Sequence, residues 1–134
     1  MSKLDVSVAL TSRDDGFGQR SLLTVTARNR TGDEVVLVGC VLLPPLGLRL
    51  SPETPVLAYP HRLPPAHSCS EEFDCVPLAN KLRGLGYSGA VRLVAVFLEA
   101  GGRVIAGLKG PAVRIDPEHR SDPFFLNLSR YAAQ

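Results

Sequence analysis

Tryptophan is absent from this chain, and three tyrosines and five phenylalanines are all the aromatic residues in its 134 positions. That poverty argues against the exposed ring platforms that carbohydrate-binding modules usually present, and leaves such a module as a third reading behind the two developed below. Cysteine is scarce and odd in number: Cys40, Cys69 and Cys75 do not make a complete disulfide framework. The opening MSKLDVSV lacks the apolar stretch of a secretory signal, so a reduced, cytoplasmic location is expected. Long apolar runs are missing too. The longest, Val35–Leu46, is broken by Gly39, Pro44 and Pro45 and is too short to cross a bilayer, which argues against a membrane role. Charge of one sign is also lacking. Fifteen basic residues face thirteen acidic ones, the net charge is +2, and the arginines are scattered without a stripe that would track nucleic acid.

What is present suits one globular domain. Apolar residues make up 45% and charged residues 21%, enough for a core without staples. The most informative stretch is Leu22–Leu43, in which two β-rich runs flank the polar turn Asn29-Arg30-Thr31-Gly32-Asp33-Glu34. Asn29-Arg30-Thr31 matches a glycosylation acceptor but reads more simply as that turn. Leu4, Val6, Val8 and Leu10 alternate on a first strand, and Leu23, Val25 and Ala27 on a second. The third strand, Val35–Leu43, is apolar on both faces, with Val36, Val38, Cys40 and Leu42 on one and Val35, Leu37, Val41 and Leu43 on the other. Such a strand must be covered twice.

Seven of the eleven prolines lie between Pro44 and Pro65, which leaves room only for short edge strands such as Leu48–Leu50 and Val56–Tyr59. His67–Cys75 alternates as a strand, with Cys69, Glu71, Phe73 and Cys75 on one face. A short helix follows, with Pro77 in its first turn, Gly84 at its end, and Leu78 and Leu82 on one side. Val91–Glu99 is a second strand with two apolar faces, Ala100-Gly101-Gly102 a hairpin turn, and Gly110-Pro111 a break or bulge in the last strand. Residues 117–134 differ in character: Pro123 can open a helix on which Phe124, Phe125, Leu128 and Tyr131 share one broad side.

Three patterns suggest chemistry. Gly84-Leu85-Gly86-Tyr87-Ser88-Gly89 has dinucleotide-loop spacing, but a helix precedes it and a strand follows, the reverse of what phosphate binding needs. Ser88 likewise falls outside a nucleophile elbow, since Ala90 stands where the last glycine belongs. The glycines fit a tight turn, with the Tyr87 hydroxyl pinning the corner. His61, His67, Cys69 and Cys75 are residue types that hold zinc or form a thiol nucleophile. Cys69 and Cys75 would lie about 20 Å apart on one extended strand, too far to share an ion.

The succession RNRTGDEVVLVG, LPPAHSCSEEFD, PLANKLRGLG, YSGAVRLVAVF and EAGGRV, within residues 5–116, resembles small uncharacterised bacterial immunoglobulin-like proteins. The resemblance implies an all-β sandwich of about seven strands with one short helix between late strands, and nothing catalytic. The expectations are therefore a sandwich domain over residues 1–116 and a C-terminal aromatic segment over 117–134 that docks on the domain or a partner. The expected role is non-catalytic protein–protein association, chiefly with a second copy, and without cofactor or metal. The surplus apolar residues Val36, Val38, Leu42, Val94 and Val96, with Phe124, Phe125, Leu128 and Tyr131, are the candidate interface. A metal or thiol enzyme built on His61, His67, Cys69 and Cys75 is the alternative.

Overall fold

The computed structural model describes residues 3–14, 16, 18–46 and 48–115. Its elements are β1 (Leu4–Asp14), β2 (Gln19–Asn29), β3 (Val35–Leu37), β4 (Gly39–Leu43), β5 (His61–Leu63), β6 (Ser68–Asp74), α1 (Cys75–Gly84), β7 (Gly89–Glu99) and β8 (Arg103–Ile115). Among the described residues the fold is all-β apart from α1 and a 3-10 turn. Every pairing is antiparallel. β1–β2–β6 and β4–β7–β8 form two three-stranded sheets, and β3–β5 forms a ribbon.

Alternation places the core. The register sets Val8 opposite Val25 and Leu23 opposite Phe73, so apolar side chains of β1, β2 and β6 share one face. Leu42, Leu93, Ala95 and Phe97 do the same on the other sheet, and both faces join one buried cluster. β1 packs against β8 along one side. Gly110 allows that approach, because a Cβ there would lie 2.9 Å from Val8 Cγ1. The end of the core is closed by α1, which buries Leu78, Ala79 and Leu82. Asp74 caps the helix, its Oδ1 accepting from the Val76 amide at 3.1 Å, while Lys81 and Arg83 sit in the last turn where the helix dipole favours cations. Burying Leu82 contributes roughly 1.5–3 kcal/mol.

Three strand expectations need correction. Val35–Leu43 is not one strand. It divides at Val38, pairing first with β5 and then with β7. The buried positions pass from Val35 and Leu37 to Cys40 and Leu42, because a one-residue slip in phase swaps the faces of a strand. Leu42 therefore lies wholly in the core and not on an interface with Val36 and Val38, which are each 37% exposed. The proline-rich segment holds no strand at Leu48–Leu50 or Val56–Tyr59. Leu50 makes only an isolated bridge to Leu42, with both N–O distances 2.9 Å. Cys75 does not share the face of β6, since the helix begins there. The register does shift opposite Gly110-Pro111, between Arg92 and Val94. Residues 117–134, with Phe124, Phe125, Leu128 and Tyr131, lie outside the described residues.

Candidate functional site

The two sheets have unlike outer faces. On β1–β2–β6 that face is polar: Thr26 and Ser70 hydroxyls meet at 2.8 Å, Thr11 and Thr24 at 3.0 Å, and Arg13 and Arg20 pair with Glu72 and Asp74. This is an ordinary solvent face. On β4–β7–β8 it is aliphatic. Val41, Val96 and Leu98 form a cluster of their own, with Leu43 and Val94 packed against it, separate from the main core. The register explains it: Val41 stands opposite Val96, and Leu43 opposite Val94. On the next strand Gly107 faces Val96, and a Cβ there would come 2.9 Å from Val96 Cγ1, so β8 leaves Val96 room. Val41, Val96 and Leu98 are 5%, 3% and 6% exposed. Towards the start of β7 the same face turns cationic. Alternation puts Arg92, Arg114 and Lys109 there, Lys109 opposite Val94 and Arg114 opposite Ala90. Among the described residues none of the three makes an ion pair.

A second site is internal. Glu71 is fully buried on the core face of β6. Its Oε1 accepts from the amides of Val56 at 2.7 Å and Glu72 at 3.1 Å, and its Oε2 from the Tyr59 hydroxyl at 2.9 Å and the Leu57 amide at 3.4 Å. Burial pushes the Cys40 thiol far up, with the Glu71 charge adding to it. The same two causes lift Cys69 to about 11. Tyr59 is raised by burial and by its hydrogen bond to Glu71. Cys75 is raised by burial and by the Asp74 charge. A thiol nucleophile needs the opposite shift. This cluster stores structure.

The alternative metal or thiol group does not assemble among the described residues. His61 lies in β5, His67 precedes β6 with Nδ1 3.0 Å from the Pro65 carbonyl, Cys69 faces the core and Cys75 starts α1. Among the described residues no three His, Cys, Asp or Glu side chains are grouped so as to hold a metal ion. The Tyr87 hydroxyl does pin the corner, donating to the Pro45 carbonyl and tying the entry of β7 to the loop after β4. Gly86 and Gly89 adopt φ of 98° and 73°, the left-handed turn between helix and strand. The Asn29 amide is buried and donates to the carbonyls of Asp33 at 2.8 Å and Leu63 at 2.9 Å, so it locks the turn and is closed to glycosylation.

Two clefts remain. One of about 370 Å³ lies between residues 50–56 and the start of α1. Its floor includes Leu22, Leu50 and Phe73, and the Arg13–Glu72 and Arg20–Asp74 pairs line its rim. The other, of about 400 Å³, is lined by Pro44, Leu46, Leu48, Leu85, Gly86 and Tyr87. Sequence reasoning missed Glu71 as a tie and both clefts. The alternation of Cys69, Glu71 and Phe73 was the only signal for the first, and loop-built clefts leave no periodic trace. No family model, no curated protein and no solved structure matches this chain.

Proposed function

We propose that this chain is a non-catalytic protein-binding module on an immunoglobulin-like sandwich, self-associating as a homodimer through the outer face of the β4–β7–β8 sheet. The carrying observation is the contrast between the two outer faces: hydroxyls and ion pairs on one, five aliphatic side chains on the other. A two-sheet domain needs one apolar face per sheet, and a further apolar face marks an interaction surface. The sandwich reading is supported by strand order, because the first, second and sixth strands form one sheet and the fourth, seventh and eighth the other. With β3 and β4 taken as one interrupted strand, that division agrees with the C–F–G sheet and the A–B–E strands of an immunoglobulin domain, although β5 pairs with β3 and not with β6. Tyr87 at the entry to β7 adds to it, although its hydroxyl reaches Pro45 rather than a nearby upstream carbonyl. The reading places the protein in a reducing, cytoplasmic setting, in keeping with three free cysteines.

Size-exclusion chromatography with light scattering on the full chain tests this. A dimer that grows across the micromolar range is expected, and Val94→Glu, which puts a charge on the face, should return it to monomer with unchanged far-UV dichroism. A wild-type chain that stays monomeric throughout removes self-association.

A further inference from the structure

The outer face has a polarity of its own: cationic at Arg92, Lys109 and Arg114, aliphatic from Val94 to Leu98 and across to Val41 and Leu43. The chain beyond the described residues has the same polarity in matching order. Asp116, Glu118 and Asp122 come first, against a single Arg120, and then Phe124, Phe125, Leu128 and Tyr131. We propose that residues 116–134 are the segment that occupies this face, acids over the cations and aromatic side chains over the aliphatic cluster. The proposal rests on the reading of that face as a binding surface and names its occupant.

Four features converge on it. The first is where the described chain stops. β8 is described as far as Ile115, opposite Gly89, at the end of the face where Arg114 and Arg92 stand. The second is reach. Val94 is five residues along β7 from Gly89, about 17 Å, while the nine residues from Ile115 to Phe124 can span up to about 30 Å. The third is size. A helix over Pro123–Tyr131 would be about 13 Å long, and Val94 to Leu98 covers about 13 Å of strand. The fourth is burial. Val41, Val96 and Leu98 are under a tenth exposed, yet among the described residues only β4 and β7 contribute to their cluster. Arg49 skirts the region, with its guanidinium 3.5 Å from where a Cβ on Gly102 would sit, but an arginine stem at an edge does not roof five aliphatic side chains.

The test is nuclear Overhauser spectroscopy on the full chain with labelled Val, Leu and Phe, repeated on a mixture of labelled and unlabelled protein. Contacts from the Phe124 and Phe125 rings to the methyls of Val41, Val96 and Leu98 are expected. Intermolecular contacts in the mixed sample support both this assignment and self-association. Contacts within one chain in a monomer support the assignment and remove self-association. A dimer with no such contacts overturns the assignment and leaves the dimer reading standing. As a second readout, Phe124→Ala/Phe125→Ala should shift the Val96 methyl resonances and raise anilinonaphthalene sulfonate fluorescence several-fold. Arg92→Glu/Arg114→Glu should do so more weakly, with an effect that fades in high salt. Methyl spectra unmoved by either pair overturn the proposal.

Discussion

The Tyr59 hydroxyl donates a 2.9 Å hydrogen bond to Oε2 of Glu71, a carboxylate with no exposed surface on the core face of β6. That contact shows how the fold handles its prolines. Pro52, Pro55 and Pro60 prevent the surrounding segment from joining a ladder, so its amides need another acceptor. Glu71 supplies it, taking Val56 and Leu57 amides and the Tyr59 hydroxyl with one side chain. An ionised carboxylate has about four acceptor sites, and four donors reach this one.

Substitution should expose that dependence. Glu71→Gln keeps the shape but turns one acceptor into a donor facing donors, which should cost about 1–3 kcal/mol in urea unfolding. Tyr59→Phe should cost about 1.5–3 kcal/mol, the range for a hydrogen bond to a charged group. The double variant should cost less than the sum, because both changes act on the same charge-assisted bond. Strict additivity would mean that the Glu71 charge adds nothing to that bond.

Alkaline pH should unfold this protein early. The folded-state pKa values of Cys40, Cys69 and Tyr59 all lie above their ordinary values, 9.0 for the thiols and 10.0 for the phenol. Above pH 9.0 the unfolded chain releases thiol protons that the folded chain retains, so stability is full below that pH and falls as pH rises. Each thiol can contribute a slope of up to about 1.4 kcal/mol per pH unit, with Cys40 giving the larger share. Urea midpoints measured from neutral to strongly alkaline pH should be flat and then decline, and Cys40→Ala should flatten the decline whatever it does to the starting level. Rapid labelling of Cys40 or Cys69 by a disulfide reagent in the native protein near neutral pH would contradict both the burial and the shifts.

What the sequence made legible was whatever repeats with the period of an element. The alternation of Leu23, Val25 and Ala27 located β2, and Pro77 and Gly84 bracketed α1 within a turn. The Gly110-Pro111 bulge was visible because proline cannot donate to a ladder. The break at Val38 was not visible, since Val35–Leu43 is apolar at every position but Gly39 and carries no phase to read. Leu42 was misplaced for that reason, while Val94 and Val96 do lie on the outer face. Glu71 was seen on the right face of its strand, but its donors come from a segment whose path depends on Glu71 itself.

Asn29 offers a separate check on the turn. Its amide nitrogen donates to Asp33 and Leu63 carbonyls, and its Oδ1 accepts from the Thr31 amide and hydroxyl, both at 2.8 Å. Asn29→Asp keeps the acceptor but loses both donations and buries a charge, so it should destabilise more than Thr31→Ala. The expected costs are about 3–5 kcal/mol against about 1 kcal/mol by urea unfolding. Equal costs would mean that the turn is held by its hydroxyl and not by the link from Asn29 to β5.

Two glycines on β8 separate the outer face from the core. At Gly110 an added Cβ meets Val8 Cγ1 at 2.9 Å and the Leu93 carbonyl at 3.5 Å, wedging β8 away from β1. At Gly107 it meets Val96 Cγ1 at 2.9 Å, and Val96 belongs to the outer cluster. Neither glycine has a positive φ, so the effect is steric and not conformational. Gly110→Ala should cost about 1–3 kcal/mol of stability through overpacking, with little change in the concentration dependence of the proposed dimer. Gly107→Ala should cost less in stability, because it presses on the outer cluster and not on the main core, but should weaken the proposed dimer by moving the Val96 side chain. Chemical unfolding and light scattering on both variants measure the two effects. If Gly107→Ala lowers stability as much as Gly110→Ala and leaves the dimer unchanged, Val96 belongs functionally to the core and the outer face is not the interface.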